Sequence, residues 1–205
     1  MGSLTYKDFK KKTNINNEKL EKLKVYFSLI EVWQKKFNLI SQNSFKNAWN
    51  RHFLDSYQIL ELIGNKKKIL DIGSGAGFPA IVCAICSNNN FVLVESNKKK
   101  CLFLNEVKKI LNIKNISIHN VRIENLKINN DYDYISARAV ASLDKLLKYS
   151  YKFYKKGVFC VFLKGQDAYS EIDIAKKKFN FHVRLIKSIT NINGRILLIR
   201  NLIKK

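Results

Sequence analysis

After a short apolar run, the chain reads Asp71-Ile72-Gly73-Ser74-Gly75-Ala76-Gly77 and then continues with a helical pattern. Glycine allows the backbone to turn sharply and lets a ligand approach without meeting a Cβ atom. The spacing differs from the dinucleotide fingerprint GxGxxG, because Phe78 stands where that fingerprint has its third glycine. The loop therefore favours a nucleoside with an uncharged linker over one with a pyrophosphate.

A carboxylate ends the next apolar run, Phe91-Val92-Leu93-Val94-Glu95. In strand-loop-helix-strand order, an acidic residue at that strand end accepts hydrogen bonds from the ribose hydroxyls of a bound nucleoside. The glycine stretch and Glu95 together predict a nucleoside-cofactor site. The alternative is an ordinary tight turn followed by an exposed glutamate.

Apolar patterning divides the rest of the chain into a helical N-terminal part and an alternation of strands and helices. Before Gly64, apolar residues recur at spacings of three and four, which predicts helices over 16–40 and from about 44 to 63. Beyond Gly64, the alternation indicates βαβ units and a mostly parallel sheet, an α/β fold. The predicted strands are 69–72, 91–95, 116–119, 132–137 and 158–163, and the predicted helices are 77–87, 98–111 and 142–154.

The C-terminal tail departs from this alternation. Residues 181–189 and 195–201 predict two strands joined by a hairpin turn that contains the pair Asn193-Gly194, so an antiparallel pair is expected at one edge of the sheet. No linker rich in proline or glycine interrupts the chain. We therefore expect an N-terminal helical extension, residues 1–64, packed on a domain formed by residues 65–205.

Composition excludes some classes of protein. The 205 residues are 46% hydrophobic, and no apolar run approaches the ~20 residues that a membrane-spanning helix needs. No signal-peptide pattern opens the chain, so we expect a soluble cytoplasmic protein with no membrane partner. No metal site is predicted, because the Cys-x-x-Cys pair lacks the second pair that zinc needs. The cysteines expected to be reduced core residues are Cys83, Cys86, Cys101 and Cys160.

The charge balance points to a polyanionic partner. Thirty-eight basic residues against 16 acidic ones give a formal net charge of +22, which makes nucleic acid the default inference. The alternative is that abundant lysine reflects an AT-rich coding sequence. The six arginines, among them Arg51 and Arg138, carry more information, because such a composition would replace arginine by lysine wherever a point charge suffices.

The glycine stretch with an acidic end of the second strand resembles the pattern of Rossmann-like class I S-adenosylmethionine-dependent methyltransferases. The resemblance covers about residues 68–205 and implies that cofactor and a seven-stranded sheet with an antiparallel edge. Enzymes that methylate exocyclic amines of bases usually carry two prolines after strand four, where this chain has Ser136-Ala137-Arg138-Ala139, and no Pro-Cys pair supports C5-cytosine chemistry. An acceptor atom with an available lone pair remains possible, and it needs alignment but no general base.

A polar cluster lies in the second predicted helix. Arg51 and Asp55 are spaced i and i+4, as are His52 and Ser56, so all four are expected on one side of that helix. A structural ion pair beside a helix histidine is the alternative. With four other motifs in the same order, the cluster resembles the ribosomal RNA small subunit methyltransferase G family, also called glucose-inhibited division protein B. The other motifs are Asn38-Leu39-Ile40-Ser41, Asp71 to Pro79, Ser136 to Leu143 and Leu163-Lys164-Gly165.

That resemblance implies methylation of N7 of a specific guanine in bacterial 16S rRNA, as free rRNA or in the small ribosomal subunit. Glu95 would hold the ribose, Ile123 and Glu124 would flank the adenine, and Arg138 would reach the methionyl carboxylate or the RNA. The remaining predicted cofactor residues are Asp71, Gly73, Gly75, Gly77 and Phe78. The residues expected to engage RNA or close the site, none as a proton acceptor, are Arg51, His52, Asp55, Ser56, Arg138 and Lys164. Nothing in the sequence demands more than a monomer.

Two alternative functions stay open at this point. One is an RNA-binding ribosome-assembly factor with a vestigial cofactor site, although the intact glycine loop and Glu95 count against it. The other is a methyltransferase of another RNA or of a small molecule, which would keep the cofactor site and differ in the acceptor.

Overall fold

Seven strands form one sheet in the computed structural model, which describes residues 4–127 and 131–205. The strands are β1 (Lys68–Ile72), β2 (Asn90–Glu95), β3 (Ile116–Asn120), β4 (Tyr134–Arg138), β5 (Phe159–Lys164), β6 (Phe179–Lys187) and β7 (Arg195–Lys204). Their order is β3-β2-β1-β4-β5-β7-β6. Strand β7 is antiparallel to β5 and β6, and the other neighbours are parallel. The predicted sheet with an antiparallel edge is confirmed.

Helices precede the sheet and connect its strands. The α-helices are α1 (Tyr6–Thr13), α2 (Asn17–Gln34), α3 (Gln42–Phe45), α4 (Asp55–Tyr57), α5 (Leu60–Ile63), α6 (Ala80–Cys86), α7 (Lys98–Ile110), α8 (Leu143–Tyr151) and α9 (Ala168–Lys176). A π-helical turn covers Trp49–Leu54 and a 3₁₀ turn covers Ile123–Asn125. Within the two described ranges, no helix is long and apolar enough to cross a membrane.

The N-terminal part contains more and shorter helices than the two long ones predicted from the sequence. Helix α2 ends at Gln34, not near residue 40. The Gln34 side-chain oxygen accepts hydrogen bonds from the N–H groups of Leu39 and Ile40, and its nitrogen donates to Ile40 O. Because this side chain satisfies backbone groups beyond the helix end, it stabilises a turn there. The second predicted helix is divided among α3, the π-helical turn, α4 and α5.

Each face of the sheet carries an apolar cluster. On one face, residues of the N-terminal helices, such as the fully buried Leu23 and Phe53, form one cluster with α6, α7 and the sheet residue Leu93. On the other face, the cluster includes α8 and α9. The described part of the N-terminal extension therefore shares its core with the sheet.

The connection between β6 and β7 is a loop, residues 188–194, which is longer than the predicted turn and includes it. Ser188 N donates to Gly194 O at 3.1 Å and Gly194 N donates to Asn191 O at 2.9 Å, which closes the loop. Neither Asn193 nor Gly194 has the positive φ that a tight Asn-Gly turn requires. The predicted antiparallel pair and a turn over residues 191–194 are confirmed, but Asn193-Gly194 does not adopt the conformation of a tight Asn-Gly turn.

Several polar residues meet at the edge of the sheet where the parallel strands end. Strands β2, β4 and β5 end in Glu95, Arg138 and Lys164. Strand β7 runs the other way, so it begins at this edge with Arg195, which pairs with Lys164. Ligands of open α/β sheets bind beyond the carboxyl ends of the strands, and the site is built at this edge.

Candidate active site

The glycine loop after β1 is bound to the neighbouring strand and borders a cavity. Gly73 and Ser74 donate their N–H groups to Val94 O at 2.8 and 3.1 Å. Gly73 has φ +64°, and a Cβ atom there would lie 2.7 Å from a methyl carbon of Val140. Gly75 has φ +59°, but a Cβ atom there would meet only Gly73 O, at 3.8 Å. Packing and φ both require glycine at Gly73, whereas φ alone favours it at Gly75, where the loop leaves room for a ligand.

The Glu95 carboxylate faces this loop from the end of β2. Its Oε2 accepts a hydrogen bond from Gly75 N at 2.9 Å, and its Oε1 accepts one from Asn97 N at 2.8 Å. Each carboxylate oxygen has a second acceptor position. Glu95 therefore fixes the loop and can still accept hydrogen bonds from two sugar hydroxyls.

Helix α2 holds the loop from the side opposite the cavity. Tyr26 is fully buried, and its hydroxyl donates to Ala76 O at 2.5 Å. A Cβ atom on Gly77 would lie 2.4 Å from Ile81 Cγ1 and 2.9 Å from the Tyr26 hydroxyl oxygen. Gly77 thus lies behind the cavity wall, where its φ of +97° and the close packing both require glycine.

Asp71 also lies behind the cavity wall. Its carboxylate is fully buried, and Oδ1 accepts a hydrogen bond from Ser136 Oγ at 2.6 Å. Its Oδ2 has no hydrogen-bond partner among the described residues. Burial raises the pKa of the Asp71 carboxyl to about 6, against the opposing effect of the Ser136 hydrogen bond. Any effect of this side chain on a ligand therefore passes through the loop.

A half-buried guanidinium joins the sheet edge to the N-terminal part. Arg138 donates to Arg51 O at 2.9 Å and to His52 Nδ1 at 2.6 Å, and its Nη1 lies 3.4 Å from Asp55 Oδ2. Its guanidinium carbon is 5.0 Å from the ring centre of Phe78. Burial lowers the pKa of Arg138, and the Asp55 carboxylate opposes that effect. Arg138 therefore forms an interior ion pair that closes the N-terminal part against the glycine loop.

The contact with Arg138 sets the tautomer of His52. A guanidinium only donates hydrogen bonds, so His52 Nδ1 is the acceptor and Nε2 carries the proton of the neutral ring. Burial, followed by the charges of Arg138 and Arg51, lowers the pKa of His52 to about 3. The ring is stacked on Phe78 with 4.9 Å between ring centres. At pH 7 His52 is therefore neutral, and its one ring lone pair is occupied.

Ser56 does not join the other three members of its motif. Its hydroxyl is fully buried and donates to His52 O at 2.6 Å, and its carbonyl accepts the Cys83 thiol at 3.2 Å. Ser56 therefore faces α6 in the core, whereas Arg51, His52 and Asp55 line the cavity. The prediction that all four side chains project from one side is wrong for Ser56.

Lys164 forms a second half-buried ion pair at the sheet edge. Its Nζ lies 2.6 Å from Glu171 Oε2 and donates to Ala141 O at 2.8 Å. The same Glu171 oxygen accepts a hydrogen bond from Leu143 N at 2.6 Å. This pair connects β5 to α9 and to the start of α8.

These groups border a cavity of about 690 Å³, a size typical of small-molecule sites. The predicted site residues that line it are Arg51, His52, Asp55, Gly73, Gly75, Phe78, Glu95, Arg138 and Lys164. Those outside its lining are Ser56, Asp71, Gly77, Ile123 and Glu124. Ile123 is buried in the 3₁₀ turn after β3, and Glu124 is exposed there.

The sequence analysis assigned no site residue to the β6–β7 loop, which forms part of the cavity wall. Ser188, Thr190, Asn191 and Arg195 all line the cavity. The available signal was Arg195, one of six arginines in a lysine-rich chain. The other three residues are of types common in loops, and no sequence pattern distinguishes them.

The glycine-loop end of the cavity fits S-adenosylmethionine. Open space beside Gly75 admits a nucleoside, and Glu95 supplies acceptors for its sugar. The fold is similar to that of a SAM-dependent methyltransferase from Aquifex aeolicus, with a TM-score of 0.59, 13% identity and coverage of 84% of this chain and 97% of that one. It is also similar to TYW2 of Pyrococcus horikoshii in complex with MeSAdo, with a TM-score of 0.57, 12% identity and coverage of 72% and 61%. These two structures share the fold, and the sequence relatives show that the chain is itself a Rossmann-like, S-adenosylmethionine-dependent methyltransferase.

Sequence comparison then identifies the family. A family model described as rRNA small subunit methyltransferase G matches residues 19–202. The protein of that name from Rickettsia prowazekii is 40% identical, over 93% of this chain and 98% of its own. The one from Paramagnetospirillum magneticum is 35% identical, over 92% of each chain. The chain belongs to the rRNA small subunit methyltransferase G family, so the predicted family, fold class and cofactor are confirmed.

Proposed function

We propose that this chain transfers a methyl group from S-adenosylmethionine to N7 of a guanine in 16S rRNA. The relatives are named as methyltransferases of small-subunit ribosomal RNA. A net charge of +22 suits a polyanionic acceptor. The choice of N7 rests on one observation, namely the hydrogen bonds and ion pairs that already hold the acidic side chains and His52 around the cavity.

Each acidic side chain that lines the cavity is held by a cation or by backbone N–H groups, and the acceptor positions that Glu95 keeps are the ones we assign to the ribose. Asp55 pairs with Arg138, and Glu95 accepts two backbone N–H groups. Glu171 pairs with Lys164, and the lone pair of His52 is taken by Arg138. Among the described residues of the cavity wall, no general base is therefore available. Guanine N7 has a lone pair and carries no proton, so its methylation requires alignment and exclusion of water but no base.

When bound, S-adenosylmethionine supplies a methyl carbon, to which N7 bonds as the carbon–sulfur bond breaks, leaving S-adenosylhomocysteine and a cationic methylguanine. We propose that Glu95 binds the ribose hydroxyls and that the nucleoside lies along the loop from Gly73 to Phe78. Ile123 and Glu124 are proposed to flank the adenine from the 3₁₀ turn. Arg138 positions the N-terminal part of the cavity wall through the contacts described above.

The form of the substrate and of the enzyme are further parts of this proposal. We infer that the acceptor is 16S rRNA, free or within the small ribosomal subunit, and that the enzyme works as a cytoplasmic monomer. Residues 1–64 act in this proposal as an extension that closes the site over the domain of residues 65–205. In support, Arg51, His52 and Asp55 come from the extension and line the cavity.

The test is a map of base-labile N7-methylguanine in 16S rRNA from cells with and without the gene. One methylated guanine is expected to disappear and to return with the wild-type gene but not with Glu95→Ala. An unchanged map would exclude this acceptor and leave another RNA or a small molecule. Isothermal titration that shows RNA binding without S-adenosylmethionine binding would instead favour an assembly factor.

A further inference from the structure

The β6–β7 loop, residues 188–194, lies at the opposite end of the cavity from the ribose-binding carboxylate. Glu95 ends β2 and Arg195 begins β7, and both residues line the cavity. In the order β2-β1-β4-β5-β7, four inter-strand spacings separate the two strands, which places them about 19 Å apart at ~4.8 Å per strand. If the proposed function holds, the cofactor occupies the Glu95 end, and the loop faces the acceptor.

The base of this loop is fixed to the N-terminal part of the chain. Thr190 Oγ1 donates to Asp55 Oδ1 at 2.7 Å, and Asn50 Nδ2 donates to Thr190 O at 3.1 Å. Ile189 N donates to Gln58 Oε1 at 3.0 Å. Because the other oxygen of Asp55 contacts Arg138 at 3.4 Å, one carboxylate connects the loop with the half-buried arginine at the end of β4.

The tip of the same loop is apolar and exposed. Ile192 is 88% exposed and Ile189 is 67% exposed, the two highest values among the exposed large apolar side chains of the described residues. Arg195 donates from Nη1 to Ile192 O at 2.8 Å and to Gly194 O at 2.7 Å, so the turn that carries Ile192 is held by its own side-chain cap. Ile192 is therefore exposed to solvent on a loop whose conformation is stabilised by hydrogen bonds.

The surroundings indicate which partner covers this tip. Lys187 and Arg195 lie opposite each other in the β6–β7 ladder at the base of the loop. Both are basic, which favours a phosphate backbone nearby. An enzyme that acts on a base inside a cavity must take that base out of its stack. Apolar side chains such as isoleucine are the ones that proteins insert against bases left partly unstacked.

We propose that the β6–β7 loop is the element that contacts the acceptor RNA, with Ile192 packed against the bases beside the extruded guanine. Thr190 and Asp55 are positioning residues that hold the loop at the cavity. This inference rests on the proposed function, and it adds the part of the chain that receives the acceptor.

Kinetics test the role of the tip. Ile192→Ala is expected to raise the KM for the RNA substrate about tenfold, with the Kd for S-adenosylmethionine unchanged in isothermal titration. Ile192→Leu should restore most of the KM. The matched control is Ile203→Ala, which removes the same atoms from a 58% exposed side chain of β7 outside the cavity lining. Equal KM values for Ile192→Ala, Ile203→Ala and wild type would overturn the proposal.

A second pair of variants tests the base of the loop. Thr190→Val keeps the side-chain shape and removes the hydroxyl that donates to Asp55, so the KM for RNA should rise about fivefold. Thr190→Ser keeps the hydroxyl and should remain near wild type. A rise of the S-adenosylmethionine Kd in place of the RNA KM would contradict a role in acceptor binding.

Crosslinking identifies the partner directly. Ile192→p-benzoylphenylalanine is irradiated with whichever substrate form the wild type methylates, either free 16S rRNA or the small subunit. The expected crosslink lies on a nucleotide next to the methylated guanine. A crosslink to a ribosomal protein or to distant RNA would overturn the proposal. If the wild type binds no S-adenosylmethionine and methylates neither form, the proposed function itself fails.

Discussion

The Glu95 carboxylate uses both of its oxygens to bind backbone N–H groups, one in the glycine loop and one at the start of α7. A carboxylate that accepts such bonds is held in one rotamer before a ligand arrives. In the proposed cofactor complex, its remaining acceptor positions meet the sugar hydroxyls without further loss of side-chain freedom. The negative charge of Glu95 and the fixed position of its oxygens are therefore expected to contribute together to ligand binding.

The substitution Glu95→Gln separates the effect of the charge from the effect of the side-chain position. Glu95→Gln removes the charge and replaces one acceptor oxygen by a donor, so we expect S-adenosylmethionine affinity to fall by about 10- to 100-fold. Isothermal titration measures the change, with circular dichroism as a check of the fold. Glu61→Gln, at an exposed position of α5, makes the same substitution away from the cavity. If the affinity of Glu95→Gln matches that of this control, Glu95 does not bind the cofactor.

His52 makes stability depend on pH on the acid side. Its pKa is about 3 in the folded protein, where burial is the main cause, against the ordinary 6.5, so the unfolded chain binds the proton more readily and stability falls as pH drops from 6.5 toward 3. Asp71 acts in the opposite direction. Its pKa is raised from 3.8 to about 6, so protonation between these values favours the folded state.

A single substitution isolates the histidine contribution. Between pH 7 and pH 4, His52→Asn should lose less free energy of unfolding than wild type, by roughly 3 kcal/mol. Urea unfolding at the two pH values measures the difference. His182→Asn, at an exposed position of β6, should follow the wild-type profile. Parallel profiles for wild type and His52→Asn would show that this ring is not held neutral.

The sequence located those site residues whose place follows from the order of the elements. Gly73, Gly75 and Glu95 stand directly at strand ends, and parallel strands bring such ends to one edge of the sheet. The outward or inward direction of Asp71 and Ser56 depends on tertiary packing against Ser136 and α6. No periodicity in the sequence contains that information.

At the scale of elements, helix α2 is one part of the N-terminal extension that contacts the glycine loop. The Tyr26 ring packs against Phe53 and Phe78 with ring centres 5.6 and 5.3 Å away, and its hydroxyl holds Ala76 O. The loop conformation therefore depends on a helix that is distant in sequence.

Removal of one oxygen atom tests this dependence. Tyr26→Phe leaves the buried Ala76 carbonyl without that donor, so we expect a loss of about 1 kcal/mol of stability together with weaker S-adenosylmethionine binding. Tyr57→Phe removes a similar bond, from the Tyr57 hydroxyl to Thr13 O at 3.0 Å, and should affect stability alone. Thermal unfolding and isothermal titration provide the two measurements. Equal cofactor affinities in both variants would show that α2 does not set the loop.

Strands were predicted better than helices. Runs such as 158–163 are apolar throughout because parallel strands are buried on both faces, and β5 is found there. Helix α9 was not predicted, because its buried positions Ala168, Ile172 and Ala175 include two small residues that give a weak amphipathic pattern. The break of the second predicted helix at Trp49–Leu54 depends on a π-helical turn, for which the sequence has no marker.

At the scale of the whole molecule, the net charge of +22 predicts salt-dependent binding of the acceptor. Each phosphate contact releases counterions, so affinity for 16S rRNA should fall at least about tenfold between 50 and 200 mM salt. Filter binding across this range measures the slope, and S-adenosylmethionine affinity in the same buffers should stay nearly constant. A flat RNA response would mean that the charge reflects coding composition.

The position of β7 in the sheet has a consequence for synthesis of the protein. This strand follows the other six strands in the sequence, yet it lies between β5 and β6 and brings Arg195 to the cavity. On the ribosome, a nascent chain without these ten residues exposes the unpaired edges of both neighbours. The enzyme therefore completes its sheet and its binding cavity only after the final strand has left the exit tunnel.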